Sequence, residues 1–442
     1  MRIYLDQCVI QYLKSDEGKT LLRRVLDDSS RNIYVFSEAH LYDLRHDRTD
    51  EKFADMDLLE QIAADHCMHY EDERVKFNKF TPRVYYNRFD WDAYFIADTF
   101  DNPLFTALTG LWKFVPMDFK TLMPADNLPA DMPDEMRELF FKGSTMYDFF
   151  VSFTGMSRAL TNEQKRFKVL LQYLHKHDFL SPVYQSMGIA GFNGEQITDR
   201  EQFFETFSAW CEKLTTQKNS YNHFLMMYNS LEMLGFVKGK PKKQKLMNMV
   251  NDGRHAFFGT YCDVIVSRDE DFVRKSSFIY AAIGISPLVL SVGEFSEWLE
   301  QHAAVKGGAD ILNFLKTRSD DDLYEERESN GTLYSSYWLP SHFFCHFNLL
   351  TIANDETGAF FYLSAIDDRC SNGQVMMAEI ERLTSLISVE FGKNLQDKGG
   401  ITEEEQAAGN WPGRSWFHEG FIIELLINNG LHLTFNVYNP EV

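Results

Sequence analysis

The stretch Ile33-Tyr34-Val35-Phe36-Ser37-Glu38-Ala39-His40-Leu41-Tyr42-Asp43-Leu44 decides how this chain is read. Its four leading apolar residues predict a buried strand, Ser37 can cap the helix that follows, and Glu38 falls in that helix's first turn. A carboxylate therefore stands just past the C-terminal end of a strand. The amino-terminal residues repeat the arrangement: Ile3-Tyr4-Leu5 is a short strand ending at Asp6, and Val9, Leu13, Leu21, Leu22 and Leu26 follow at helical spacing. Open parallel α/β sheets hold their ligands at the carboxyl ends of the strands, so the recurrence points to a site there.

The same grammar returns far along the chain, in Asn251-Asp252-Gly253-Arg254-His255 through Asp263-Val264-Ile265-Val266-Ser267-Arg268-Asp269. Asp252 is expected to open a helix, Val264-Ile265-Val266 to form a buried strand, and Asp269 to follow that strand at once. A helix through Lys275 and Tyr280, a strand at Pro287–Ser291 and a helix toward Trp298 and Leu299 complete an α/β unit near residue 300. Between its two parts, residues 50 to about 235 are Phe-rich and helix-patterned. Capping boxes at Thr161–Gln164 and Thr198–Glu201 support helices there. Phe203, Phe204, Phe207, Trp210 and Leu214 recur at helical period and predict a core face rather than a base-stacking stripe.

The fold class expected is α/β: a parallel sheet flanked by helices, interrupted by an α-helical insertion and followed by a small α+β domain. The boundaries are 1–48 and 240–300 for the sheet domain, 49–239 for the insertion, 301–330 for a charged linker, and 331–442 for the last domain. Ser319 to Glu328 reads as a charged helix or linker. A helix from about Gln374 to Phe391 and a hairpin flanking Asn428-Asn429-Gly430 are expected beyond it.

Composition narrows the function classes. With 442 residues and 44% hydrophobic content, the chain can bury sizeable cores. It carries 65 Asp plus Glu against 44 Lys plus Arg, a net charge of −21, so general coating of a polyanion is excluded and any nucleic-acid contact must be local. Lys238 to Lys245 is the concentrated basic run, and Lys240, Lys242, Lys243 and Lys245 are candidates for phosphate contact, as are Arg254 and Arg268; a solvated loop is the alternative. Six dispersed cysteines without a CxxC pair predict reduced, buried thiols. The pairs His66/His69, His175/His177 and His342/His346 are not expected to form zinc sites. No basic leader and no long uncharged apolar run are present, so a cytoplasmic protein is expected.

Asp6, Glu38, Asp252 and Asp269 would meet at one sheet edge, with Asp263 as a ligand or support. Clustered carboxylates repel one another and call for a cation; Mg²⁺ or Mn²⁺ suits oxygen ligands and bridges to phosphate. The expected reaction is hydrolytic cleavage of a nucleic-acid backbone. The ordered set of strand-Asp6, strand-Ser37-Glu38, Asp252 with His255, and strand-Ser267-Arg268-Asp269 resembles the PIN or PIN-like nuclease domain. That resemblance implies four acidic metal ligands at Asp6, Glu38, Asp252 and Asp269, Mg²⁺- or Mn²⁺-dependent endoribonuclease activity, and RNA as partner. It also suggests a bacterial toxin or phage-defence role, with the C-terminal domain serving a protein partner or oligomerisation.

Simpler roles stay open at each position. Asp6, Asp252 and Asp269 could cap helices, and Glu38 could complement a helix dipole. His255 would orient a metal-bound water or a phosphate, or sit as a satisfied core histidine; Ser267 would bond a ligand carboxylate or brace the turn. Two other functions remain beside the ribonuclease: a catalytically silent PIN-like scaffold for protein interaction, and a metal-dependent DNase.

Overall fold

The structure is a computed structural model of the 442-residue chain. It describes residues 1–47, 49–88, 200–215, 219–233, 246–302, 305–355, 358–365, 373–428 and 432–439, with isolated positions elsewhere. Two compact units are present: Met1–Val84 with Phe258–Val273 and Ser286–Val442, and Tyr85–Phe257 with Arg274–Ile285.

The first unit begins with a six-stranded sheet in the order β4-β3-β2-β1-β5-β6. Its strands are β1 (Arg2–Leu5), β2 (Ile33–Ser37), β3 (His66–Glu71), β4 (Arg74–Lys79), β5 (Val264–Ser267) and β6 (Leu288–Ser291). β1 pairs in parallel with both β2 and β5, β2 with β3, and β5 with β6; β4 alone turns back antiparallel on β3. β1, β2 and β5 are buried at every position, as expected of central strands covered on both faces. Helices α1 (Gln7–Lys14), α2 (Lys19–Asp28), α3 (Glu38–His46) and α4 (Glu51–Ala63) follow in the same unit. Val9, Ile10 and Leu13 of α1 are fully buried, the helical spacing read from the sequence.

This sheet is wider than expected. The segment assigned to a helical insertion from residue 49 supplies α4 and the β3–β4 hairpin to the first unit. Met68 and Phe77 face each other across the hairpin and are both buried, but His66, His69 and the charges of β4 break the apolar alternation that would mark them as strands.

The same unit holds a seven-stranded antiparallel sheet, β11-β12-β13-β10-β9-β8-β7. It comprises β7 (Leu323–Ser329), β8 (Thr332–Phe343), β9 (Phe347–Asp355), β10 (Gly358–Ser364), β11 (Arg414–His418), β12 (Phe421–Asn428) and β13 (His432–Tyr438). The β12–β13 hairpin pairs Asn428 with His432, as the Asn-Asn-Gly turn predicted. The expected charged linker is instead ordered secondary structure: a helix at Gly308–Thr317 and then β7, an edge strand exposed throughout. Charged residues suit that edge because they discourage pairing with another chain. A long helix at Gly373–Phe391 lays Met376, Ile380, Leu383 and Ile387 against Leu350, Leu363, Leu425 and Phe435.

In the second unit, helices at Arg200–Leu214 and Ser220–Met233 pack on each other. Phe203, Phe204 and Phe207 are buried, the core role expected of them. A Cβ at Gly253 would lie 3.2 Å from both Leu225 and Tyr228, so glycine permits close helix packing there. The capping box at Thr161–Gln164 and Thr198 of the second box lie outside the described residues. Among the described residues, no helix is long and apolar enough to cross a membrane.

Candidate metal centre

Pairing of Leu5 with Val266 puts Asp6 level with Ser267 at the carboxyl edge of the parallel sheet, and the Asp6 amide donates to Val266 O at 2.9 Å. Asp6 occupies the N-cap position of α1, yet its side chain makes no capping hydrogen bond. The carboxylate turns instead to Ser267, whose Oγ donates to Oδ2 at 2.7 Å, and to Cys8, whose Sγ donates at 3.0 Å. Ser267 is fully buried and Asp6 is 7% exposed. Burial and the charge of Asp6 both push the Cys8 thiol up, so Cys8 is a neutral donor here.

The β2–α3 junction forms as expected, with Ser37 Oγ accepting from the Ala39 amide at 3.2 Å. His40 is buried against Tyr4, and its Nε2 lies 2.7 Å from Leu5 O. That contact ties the start of α3 to the end of β1. Successive helical residues rotate by about 100°, which sets Glu38 and Asp43 about 140° apart around α3. Of the two, Asp43 is the one that brings a carboxylate oxygen to within 4.8 Å of Asp6.

The helix at Leu246–Gly259 (α5 below) is unbroken, and its last turn, Phe258–Gly259, belongs to the first unit. One turn earlier it carries His255, 1% exposed. Asp6 and Asp43, both in the first unit, each offer a carboxylate oxygen, and the two lie within 4.8 Å of each other. An octahedral ion with bonds of about 2.1 Å spaces its cis donors by about 3 Å and its trans donors by about 4.2 Å. Two carboxylate oxygens near that span could hold one metal ion between them after a small inward movement, which would leave coordination positions for water or substrate.

The other residues expected at the site are distributed as follows. Glu38 is 2% exposed in the first turn of α3, and its charge helps burial push the Cys67 thiol up, which places it toward β3; it is not one of the clustered donors. Asp269 Oδ1 accepts from the amides of Asp271 at 2.8 Å and Phe272 at 3.3 Å, the capping role. Asp252 does not open a helix as expected but lies in the middle of α5, one turn before His255. Asp263 is at the opposite edge of the sheet: its Oδ2 accepts from the Arg2 amide at 2.6 Å, the strand's length away from Asp6, so the structure removes it from the expected ligand set. Parallel strands send a residue before β5 and a residue after β1 to opposite edges, and the sequence order alone obscured that.

Ser267 donates to the Asp6 carboxylate and also accepts from the Asp269 amide at 3.1 Å, so contacts for both of its readings are present. Arg268 is exposed and lies 4.6 Å from the centroid of the Tyr12 ring, while Arg254 Nη1 donates to Asn251 Oδ1 at 3.5 Å. Lys240, Lys242, Lys243 and Lys245 lie outside the described residues. Asp43, which sequence reasoning missed, was within the decisive stretch, three residues after His40; only its facing, not its type, distinguished it from Glu38. No family model matches this chain, and no curated protein or solved structure matches it.

Proposed function

We propose that this chain is a divalent-metal-dependent phosphodiester hydrolase, with RNA as its substrate and Mn²⁺ or Mg²⁺ as its ion. The observation that carries the reading is the approach of the Asp6 and Asp43 carboxylates to within 4.8 Å of each other at the carboxyl edge of a parallel sheet. When bound there, the ion would supply Lewis-acid stabilisation of a phosphoryl oxygen and an acidified water. The protein's part is orientation: Ser267 and Cys8 hold the Asp6 carboxylate by its Oδ2 and so fix the angle at which it would meet the ion. Arg268, exposed beside the edge, is a contact for a substrate phosphate.

Calorimetric titration of Mn²⁺ into the wild type and into Asp6→Asn/Asp43→Asn tests the ligand set, followed by incubation of both with labelled single-stranded RNA and DNA. Micromolar binding lost in the variant, together with Mn²⁺-dependent cleavage of RNA, is the expected outcome. A wild type that binds no divalent ion sinks the proposal, and cleavage confined to DNA reassigns its substrate.

A further inference from the structure

The face of the antiparallel sheet turned away from the helix at Gly373–Phe391 is aromatic. Leu363 and Phe435 point into the core, so Tyr362 and Asn436, paired across β10 and β13, point the other way, as do Phe360 and, across β8, Tyr334 and Trp338. Trp338 is 42% and Phe360 37% exposed. Arg327 on β7 and Asn428 on β12 line a single cavity of about 360 Å³ with Tyr334, Phe360, Tyr362 and Asn436. Five strand spacings separate β7 from β12, about 24 Å in a flat sheet. Their residues share a cavity because the sheet coils, which makes this face concave.

The polar groups in the cavity have definite roles to offer. Arg327 lies over Tyr334 at 5.4 Å, and among the described residues the lining includes that one cation and no carboxylate, although Glu325, Glu326 and Glu328 neighbour it on β7. Asn428 and Asn436 both donate through Nδ2 to Thr434 Oγ1, at 2.9 and 3.3 Å. That arrangement fixes the amides and leaves each Oδ1 to accept from a ligand. Phe360 and Tyr362 stand with near-parallel rings, centroids 6.5 Å apart.

We propose that this cavity binds a nucleotide whose base bears an exocyclic amine, stacked on Phe360 and Tyr362, donating to Asn428 or Asn436, with its phosphate on Arg327. Stacking of a base on an exposed sheet aromatic is sequence-tolerant, whereas the amide acceptors favour adenine over uracil. The source is either a free mononucleotide or an unpaired base of an RNA strand; the acidic flank of β7 disfavours a long phosphate track across it. The site is independent of the metal centre.

The test uses the full chain in EDTA, titrated by calorimetry with AMP, UMP, the hexamers (rA)6 and (rU)6, and maltotetraose. AMP or (rA)6 is expected to bind at least about tenfold more tightly than its uridine counterpart. Phe360→Ala/Tyr362→Ala should weaken binding about tenfold or more, Asn428→Leu/Asn436→Leu should abolish the adenine preference, and Asp6→Asn should leave binding unchanged. Binding of (rA)6 without AMP assigns the site to a strand, and AMP without added affinity for (rA)6 assigns it to a free nucleotide. Circular dichroism checks that the variants fold. No binding of AMP or (rA)6, binding unaffected by the aromatic variant, or maltotetraose binding more tightly than both overturns the proposal, and none of these bears on the Mn²⁺ titration.

Discussion

The hydroxyl of Ser267 is the smallest group on which the centre depends. It donates to Asp6 at 2.7 Å and accepts from the Asp269 amide at 3.1 Å, all within a fully buried position. Ser267→Ala is expected to cost about 1–2 kcal/mol of stability, since both partners lose a buried hydrogen bond. It should also weaken Mn²⁺ binding about tenfold, because Asp6 loses its orienting donor. Urea unfolding and calorimetry measure the two effects, and unchanged Mn²⁺ affinity would show that Ser267 does not orient the ligand. A second residue-scale test concerns Arg414, fully buried, whose guanidinium reaches Glu405 at 2.6 Å and the carbonyls of Gly399 and Gly413 at 2.7 Å. Hydrogen bonding to Arg414 holds the Glu405 carboxyl down at about 2. A depressed carboxyl stabilises the fold above its unfolded value of about 4.3 and loses that contribution as pH falls through its folded value. Glu405→Gln should therefore unfold at lower urea than wild type at pH 7, and the gap should narrow between about pH 4.3 and 2. A gap independent of pH would refute the assignment.

At the scale of elements, the junctions between strands and helices carry both stability and chemistry. Ser291 ends β6 and caps the helix at Val292–Gln301: its Oγ accepts from the Glu294 amide at 3.3 Å, while Glu294 Oε2 accepts from the Ser291 amide at 2.8 Å. Ser291→Ala is expected to cost about 1 kcal/mol, read as a lowered melting temperature, and Ser291→Thr should recover most of it. The junction at Ser37 has the same form, but there the cap serves to aim α3. Helical rotation, not residue type, selects Asp43 over Glu38 for the cluster. Moving the carboxylate by Asp43→Asn/Glu38→Asp should therefore not restore Mn²⁺ binding lost in Asp43→Asn alone; restoration in calorimetry would mean that Glu38 shares the ion.

The whole first unit is joined by a buried ion cluster. Arg382, on the helix at Gly373–Phe391, donates through Nη1 to Arg31 O at 2.7 Å and to Phe344 O at 3.1 Å, and pairs with Glu379. Arg31 lies just before β2 and Phe344 between β8 and β9, so one guanidinium spans both sheets. Burial raises the Glu379 carboxyl, but Arg382 and His346 outweigh it and hold it well below the ordinary range. Glu379→Gln leaves a buried cation without its carboxylate and is expected to cost about 3 kcal/mol. Hydrogen exchange across a urea series should show β1 and the Gly373–Phe391 helix losing protection together in wild type, and separately in Arg382→Leu. Separate unfolding already in wild type would mean that the two sheets are not one cooperative body.

The alternation of apolar strands with capped helices was legible in the chain itself, because it is a local pattern of burial and hydrogen-bond satisfaction. So were the placement of Asp6 and Glu38 past strand ends and the hairpin at Asn428 to His432. The β3–β4 hairpin was not, since its strands are half-buried and carry charge on β4, and that leaves no clear period to read. Nor could sequence order show that Asp263 leaves the site while Asp43 enters it. Which carboxylates meet depends on strand direction and on the rotation of each helix about its axis, and packing against the sheet sets both. Tertiary structure therefore decided which carboxylates cluster, bringing Asp6 and Asp43 within 4.8 Å of each other.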